Sequence, residues 1–80
     1  METISKRELE YLRKTYTPGT KVRLEYMDDI QAPPIGTLGT VKGVDDIGSI
    51  MVQWDNGSSL SVVYGCDHCT IIMEDKNEKG

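Results

Sequence analysis

Four consecutive residues, Cys66-Asp67-His68-Cys69, contain the side chains that could hold a metal ion. A C-x-x-C spacing offers two thiolates from one turn, whereas a tetrahedral zinc site needs four thiolate or imidazole ligands. The chain contains no other cysteine or histidine, so a complete site would need a carboxylate ligand or a zinc-stapled dimer through Cys66 and Cys69. We favour reduced thiols that lead into a buried strand, with no metal or other cofactor.

The same segment contains the chain's one histidine, His68, which is the candidate base for nucleophilic catalysis. A catalytic set needs nucleophile, base and orienting acid within hydrogen-bond reach of one another. Immediate neighbours on a short stretch of chain rarely meet that requirement. A chain of 80 residues also has a thin stability margin, which leaves little free energy for a deep reaction pocket. We therefore expect that the protein is not an enzyme.

Two acidic doublets, Asp28-Asp29 and Asp45-Asp46, fall in predicted loops. They lack the roughly six oxygen ligands at defined spacing that a calcium loop requires. Aspartate commonly stabilises turns by bonding nearby backbone amides, and we favour that role. An acidic binding surface formed by the same four carboxylates remains the functional alternative.

Tyr26 and Tyr64 end predicted strands beside loops, which makes them the best candidates for an exposed aromatic groove. Such grooves bind peptides in several small domains. Trp54, in contrast, follows the inward alternation of its strand and is predicted to lie in the core. The long segment 27–35 is the predicted recognition loop, because long loops in compact domains tend to be functional.

The elements that must position these residues begin with a helix. Ser5 and Glu8 have the spacing of a capping box, and the apolar residues up to Tyr16 fall on one arc of about 160° at ~100° per residue. Thr17-Pro18-Gly19 ends the helix. At about three turns the helix would be marginal alone, so its apolar face must dock on other elements.

Five short strands are predicted after the helix, because side chains alternate between apolar and polar. They cover residues 21–26, 36–44, 49–54, 58–64 and 69–73. Glycines in the second strand indicate bends or bulges, and Asn56-Gly57 predicts a type I′ hairpin turn. The predicted core is Val22, Leu24, Val41, Val44, Ile50, Val52, Trp54, Leu60, Val62 and Ile71.

Residues 36–57 resemble the KOW and Tudor type of SH3-like barrel. The residues that carry this resemblance are Gly36-x-x-Gly39-x-Val41, Val44 and Ile50-x-Val52-x-Trp54-Asp55-Asn56-Gly57. A closer resemblance, over about residues 16–72, is to a family of small uncharacterised bacterial and mobile-element domains. Its motifs are Tyr16 to Leu24, Met27-Asp28-Asp29, Gly36-Thr37-x-Gly39-Thr40-Val41, Val44-Asp45-Asp46 and Trp54 to Ser58. The resemblance implies a mainly β fold, a small five-stranded SH3-like barrel.

We accordingly divide the chain into an N-terminal amphipathic helix (1–16), a barrel (17–73) and a polar tail (74–80) that we expect to be disordered. No apolar run approaches the ~18 residues of a membrane span, and the N-terminus resembles neither a signal nor a transit peptide. We therefore expect a cytoplasmic protein with no membrane partner. Nothing in the sequence sets its oligomeric state.

Charge distribution favours a protein partner over a nucleic acid. The chain has a formal net charge of −4, and the barrel segment has three basic residues against seven acidic ones. Phosphate contacts need clustered lysine and arginine. The helix does have a basic face, formed by Lys6, Arg7, Arg13 and Lys14, which keeps nucleic-acid binding as the alternative. The predicted function is a protein-binding module that uses Tyr26, Tyr64 and the two acidic doublets.

Overall fold

The described chain, residues 4–72 of a computed structural model, begins with helix α1, Lys6–Thr15. The capping box is formed as predicted: Glu8 donates its amide to Ser5 Oγ at 3.0 Å, and Ser5 donates its amide to Glu8 Oε1 at 3.1 Å. Leu12 is buried, so the apolar face of α1 docks on the sheet. No helix within residues 4–72 has the length and apolar character needed to cross a membrane.

Five strands form one antiparallel sheet in the order β4-β3-β2-β1-β5. They are β1 Lys21–Tyr26, β2 Leu38–Val44, β3 Ser49–Trp54, β4 Val62–Val63 and β5 His68–Ile71. β4 also contacts β5 across the four residues that join them, 64–67, which we call the β4–β5 turn. The predicted mainly β fold, with five strands and one N-terminal helix, is confirmed.

The core forms between the sheet and α1. Its buried apolar residues are Leu12, Val22, Leu24, Met27, Val41, Ile50, Val52, Trp54 and Val62. Seven of these were predicted as barrel core, whereas the predicted Val44, Leu60 and Ile71 are half-buried and pack against the edge of the cluster. Trp54 lies in the core as predicted, and its indole donates Nε1–H to the carbonyl of Leu60 at 2.9 Å.

A bulge in β1 explains why Met27 was missed. The pairing of β1 with β5 shifts register between Leu24 and Tyr26, and an extra residue reverses which side chains point inward. Tyr26 is consequently half exposed and Met27 takes the buried position. The strand therefore does not keep strict alternation to its end.

Glycine in β2 permits close packing in addition to the predicted irregularity. A Cβ on Gly39 would lie 2.6 Å from both Trp54 Cε3 and Val52 Cγ1, which is well inside van der Waals contact. The register with β3 shifts between Val41 and Gly43, which confirms the predicted irregularity. β2 begins at Leu38 rather than at residue 36, because residues 36 and 37 complete a turn.

The prediction of a type I′ turn at Asn56-Gly57 is wrong. Gly57 has φ 96°, but no residue other than glycine has positive φ within residues 4–72, so Asn56 cannot take its part in such a turn. Instead, Gly57 donates its amide to the Trp54 carbonyl at 3.0 Å, and Trp54 donates its own to the Ser58 carbonyl at 2.8 Å. The loop thus has three residues, with glycine at its last position.

The last two strands are shorter than predicted. Residues 58–61 pass the Trp54 indole as a loop, so β4 contains only Val62 and Val63. β5 begins one residue earlier than predicted, at His68, and ends at Ile71. Residue 73 and the predicted polar tail, 74–80, lie outside the described residues.

Candidate functional site

A groove of 430 Å³ opens between α1 and the β4–β5 turn, and we call it the helix–turn groove. Its buried floor consists of Leu12, Ile50 and Val62. Three tyrosines form its walls: Tyr11, Tyr16 and Tyr64. Gly65, Asp67, His68 and Cys69 complete the lining from the turn and the start of β5. The groove is therefore mainly apolar and aromatic, with polar groups at its edges.

The helix supplies one wall because of its spacing. Leu12 and Tyr16 are one turn apart and share a face, so burying Leu12 against the sheet brings Tyr16 beside it. Tyr11 lies on the flank of the same apolar arc and is 61% exposed. Tyr64, from the β4–β5 turn, faces this wall and is 44% exposed. Large aromatic surfaces that remain accessible are a common feature of binding sites.

Asp67 organises the opposite side of the groove. Its carboxylate is buried and accepts two backbone amides, from Asp28 at 2.9 Å through Oδ1 and from Val63 at 2.9 Å through Oδ2. Hydrogen bonds to an ionised acceptor are stronger than neutral ones. Asp67 therefore ties the long loop after β1 to the β4–β5 turn.

Tyr64 also approaches the beginning of α1. The pKa of Glu8 is lowered, first by the backbone and then by the side chain of Ser5, and the Tyr64 hydroxyl acts in the same direction. The Tyr64 hydroxyl thus lies near the Glu8 carboxylate. Glu8 lies three residues before Tyr11 and four before Leu12, so it shares the face of α1 that lines the helix–turn groove without being a lining residue itself.

Burial makes the groove thiol and one of its phenols hard to ionise. The pKa of Cys69 is raised to about 11, mainly by desolvation and further by the negative charge of Glu25. Desolvation also raises the pKa of Tyr16, with added repulsion from Cys69 and Tyr11. A protonated thiol is neither a good nucleophile nor a metal ligand. Both groups therefore contribute neutral, partly buried surface to the lining at neutral pH.

The structure places the two tyrosines of the predicted aromatic pair in different surroundings. Tyr64 lines the groove, whereas Tyr26 is absent from its lining and lies opposite His68 in the pairing of β1 with β5. The outward position of Tyr26 follows from the β1 bulge. Tyr26 remains 50% exposed, close to the value for Tyr64, so the two tyrosines differ in location more than in accessibility.

The first acidic doublet lies beside the groove. The Asp28 amide is bound to the groove residue Asp67, which places residues 28 and 29 at the end of the groove formed by the turn. Asp29 Oδ1 accepts the amide of Gln31 at 2.7 Å, an aspartate turn within the loop. Ile30, at the tip of the predicted recognition loop, is almost fully exposed.

The second doublet, Asp45-Asp46, is not part of the groove lining. Asp45 Oδ1 accepts the amides of Ile47 at 3.2 Å and Ser49 at 2.8 Å, which is turn chemistry. Asp46 pairs with Arg13 of α1 at 2.7 Å. Within residues 4–72 the contacts of this doublet are those of a structural turn anchored to the helix.

The geometry gives little support to two alternative sites, a nucleic-acid surface on the basic face of α1 and a metal site at the cysteines. Arg13 of the basic helix face is engaged by the Val44 carbonyl at 3.3 Å and by Asp46, so its charge is partly neutralised. Residues 4–72 bring together no group of three or more histidine, cysteine, aspartate or glutamate side chains that could hold a metal ion. Cys66 is exposed and Cys69 half-buried, both as free thiols.

Sequence reasoning missed Tyr11, Tyr16 and Asp67 as site residues. The two tyrosines were visible as part of the apolar arc of α1, which signalled docking but not an accessible wall. Asp67 was considered only as part of a catalytic or metal-binding motif. Its partner is the backbone amide of a residue 39 positions away, which no side-chain pattern reveals.

Comparison with known proteins gives a family and no function. No curated protein matches the chain, and no solved structure does. A family model described as "Domain of unknown function (DUF4314)" matches residues 5–72. That range includes α1, all five strands and every residue of the helix–turn groove. The resemblance to an uncharacterised domain family is thereby confirmed, and the chain belongs to the DUF4314 family.

Proposed function

We propose that the protein is a non-enzymatic interaction module that binds a segment of another protein in the helix–turn groove. The observation that carries this proposal is the lining itself, with three tyrosines around a floor of three buried aliphatic side chains. Aromatic anchors in pockets dominate the energetics of many interfaces. The groove volume of 430 Å³ falls in the range of about 300–1,000 Å³ typical of binding pockets.

Sheet architecture supports the same proposal. We assign the five short antiparallel strands, with a bulged β1 and the contact of β4 with β5 across a four-residue turn, to the SH3-like barrel class. Domains of this class can bind extended peptides in aromatic grooves between loops. Here the extra helix would provide one wall of such a groove.

The state of the polar groups in the groove favours binding over catalysis. Both oxygens of Asp67 accept backbone amides, which gives the carboxylate a structural role in the turn. The Cys69 thiol, with its pKa raised to about 11, stays protonated at neutral pH. His68 is exposed, but these neighbours supply it with no activated nucleophile.

Partner capture with matched tyrosine variants tests the proposal. The immobilised chain would be incubated with nuclease-treated host lysate, and retained proteins compared among wild type, Tyr64→Ala and Tyr26→Ala. We expect Tyr64→Ala to lose a specific partner that Tyr26→Ala retains, since only Tyr64 lines the groove. The proposal would be contradicted if both variants kept the same partners or if only Tyr26→Ala lost them.

A further inference from the structure

We propose that the helix–turn groove accepts a basic segment of a partner protein, which inserts one lysine or arginine side chain between the tyrosines. This inference rests on the proposed function and specifies the chemistry of the ligand. Three observations carry it: the signs of the charges around the groove, the shape of its lining and the position of Glu8.

Carboxylates are present both in the groove lining and next to it. No lysine or arginine is among the lining residues, whereas the Asp67 carboxylate is. Glu8 lies on the face of α1 that lines the groove, three residues before Tyr11 and four before Leu12. The Asp28 amide is bound to Asp67 at 2.9 Å. A cleft lined by charge of one sign attracts ligands of the opposite sign.

The lining matches a long cationic side chain in two parts. An aliphatic stem would pack on the floor formed by Leu12, Ile50 and Val62, as the stems of lysine and arginine do on apolar surfaces. The charged head would then meet the tyrosine rings, whose faces attract cations. Glu8, on the face of α1 that lines the groove, supplies an acceptor for its hydrogen bonds, and arginine can use two of them at once.

An acidic ligand would meet an unfavourable environment in the same place. Desolvation and the charge of Glu25 already oppose ionisation of Cys69, although Arg23 pairs with Glu25 at 3.0 Å and weakens its effect. The competing cations are Arg7 and Lys14, which are four residues before and three after Tyr11 and are exposed. Both therefore flank the Tyr11 wall of the groove, so we expect the ligand cation to enter from the side of the β4–β5 turn, whose residues 64–67 include no lysine or arginine.

A peptide selection identifies the preferred charge directly. A random dodecapeptide library displayed on phage would be selected on the full chain, after removal of phage that bind Tyr64→Ala. We expect the surviving sequences to be enriched in lysine or arginine next to apolar residues. The best of them, as a synthetic peptide, should bind at least tenfold more tightly than the same peptide with norleucine or citrulline replacing its cation.

Two glutamates of α1 provide a matched pair for testing the contact with Glu8. Glu8→Gln keeps the capping box, because glutamine can serve at that position, but removes the charge beside Tyr64. We expect it to weaken binding of the selected peptide three- to tenfold. Glu10→Gln removes the same charge from the opposite face of the helix and should change binding less than twofold.

The outcomes separate this inference from the function on which it rests. Enrichment of neutral or acidic peptides that still depend on Tyr64 would overturn the cationic ligand and leave the groove as a protein-binding site. Equal weakening by Glu8→Gln and Glu10→Gln would also overturn it. If no peptide depended on Tyr64, both the inference and the proposed function would be contradicted.

Discussion

Two aspartates in two turns, Asp45 and Asp67, make similar hydrogen bonds to partners at very different distances along the chain. Asp45 and Asp67 each accept two backbone amides. The partners of Asp45, Ile47 and Ser49, lie within its own turn between β2 and β3. One partner of Asp67 is the amide of Asp28, which is 39 residues away in the chain.

The two aspartates therefore stabilise different levels of the structure, one a single hairpin and the other a contact between distant segments. Asp45 fixes a hairpin that its own residues already favour, whereas Asp67 joins two segments that would otherwise be connected only through the sheet. Because Asp67 also lines the helix–turn groove, its hydrogen bonds determine the shape of the candidate site. Asp45 thus stabilises its own turn, whereas Asp67 also holds the loop after β1 against a turn that lines the groove.

Replacing Asp67 should have the largest effect. Asp67→Ala leaves two amides without their charged acceptor in a site that is only 8% exposed, and hydrogen bonds to charged groups contribute about 1.5–3 kcal/mol each. Because both bonds end on one carboxylate, their contributions do not add fully, and we expect the free energy of unfolding to fall by about 2–4 kcal/mol, measured by urea denaturation. Asp67→Asn, which keeps one acceptor oxygen, should lose less. A loss of stability no greater than that of Asp45→Ala would contradict the claim that the long-range hydrogen bonds of Asp67 contribute more than the local ones of Asp45.

The two cysteines on either side of Asp67 should differ strongly in reactivity. The pKa of Cys69 is raised from 9.0 to about 11. At pH 8 its thiolate fraction is therefore about a hundredfold smaller than that of a thiol with the ordinary pKa, since each pKa unit is a factor of about ten. Iodoacetamide should therefore modify exposed Cys66 first, as read by mass spectrometry, and both thiols in urea. Comparable rates in the folded protein would show that the groove does not desolvate Cys69.

The same thiol gives stability a pH dependence with a defined sign. Because the folded pKa of Cys69 lies above its ordinary value of 9.0, its contribution is complete below pH 9 and is lost as pH rises toward 11. The raised pKa of Tyr16 acts in the same direction. The melting temperature should fall as pH rises from 8 to 11. In the variant Cys69→Ala this pH-dependent decrease should be smaller. An unchanged profile in that variant would assign the effect to other groups.

Replacing Asp45 should have a smaller effect than replacing Asp67. Its two hydrogen bonds are local, one exposed and one half-buried, which is comparable to a helix cap, whose loss costs about 1 kcal/mol. Asp45→Ala should therefore lower the free energy of unfolding by about 1 kcal/mol while leaving peptide binding in the groove intact. Loss of binding in this variant would show that the two turns are not independent.

The ion pair of Asp46 with Arg13 should contribute least. The side chain of Asp46 is 95% exposed, and pairs at such sites typically contribute about 0.2–1 kcal/mol. Asp46→Asn should change the urea midpoint only slightly, with a difference that shrinks further in high salt. A larger, salt-resistant loss would mean that this turn anchors the helix more firmly than its exposure implies.

Local patterns predicted the parts of the fold that depend on neighbouring residues. The Ser5–Glu8 capping box formed, β1 and β3 have the predicted bounds, and alternation identified most of the core. The turn role of Asp45 could also be predicted, because its partners are two and four residues away. In each case the interaction is encoded within about one helical turn or one hairpin.

The candidate site escaped prediction because it joins distant segments. The groove brings residues 11–16 against residues 62–69, and no pattern in either segment specifies the other. The β1 bulge turned Tyr26 outward and so separated the predicted aromatic pair. The long-range hydrogen bond of Asp67 could not be predicted either, because its distant partner is a backbone amide, which every residue except proline possesses.

The central claim, that the helix–turn groove is the binding site, can be tested most directly by chemical-shift mapping. The ¹⁵N-labelled chain would be titrated with a captured partner or with a Tyr64-dependent peptide. We predict that the largest shifts occur at the amides of Tyr11, Tyr64 and His68, while those of Leu38 and Asp55 in the smaller cleft stay unchanged. Shifts concentrated at Leu38 and Asp55, with the groove amides unmoved, would contradict the account.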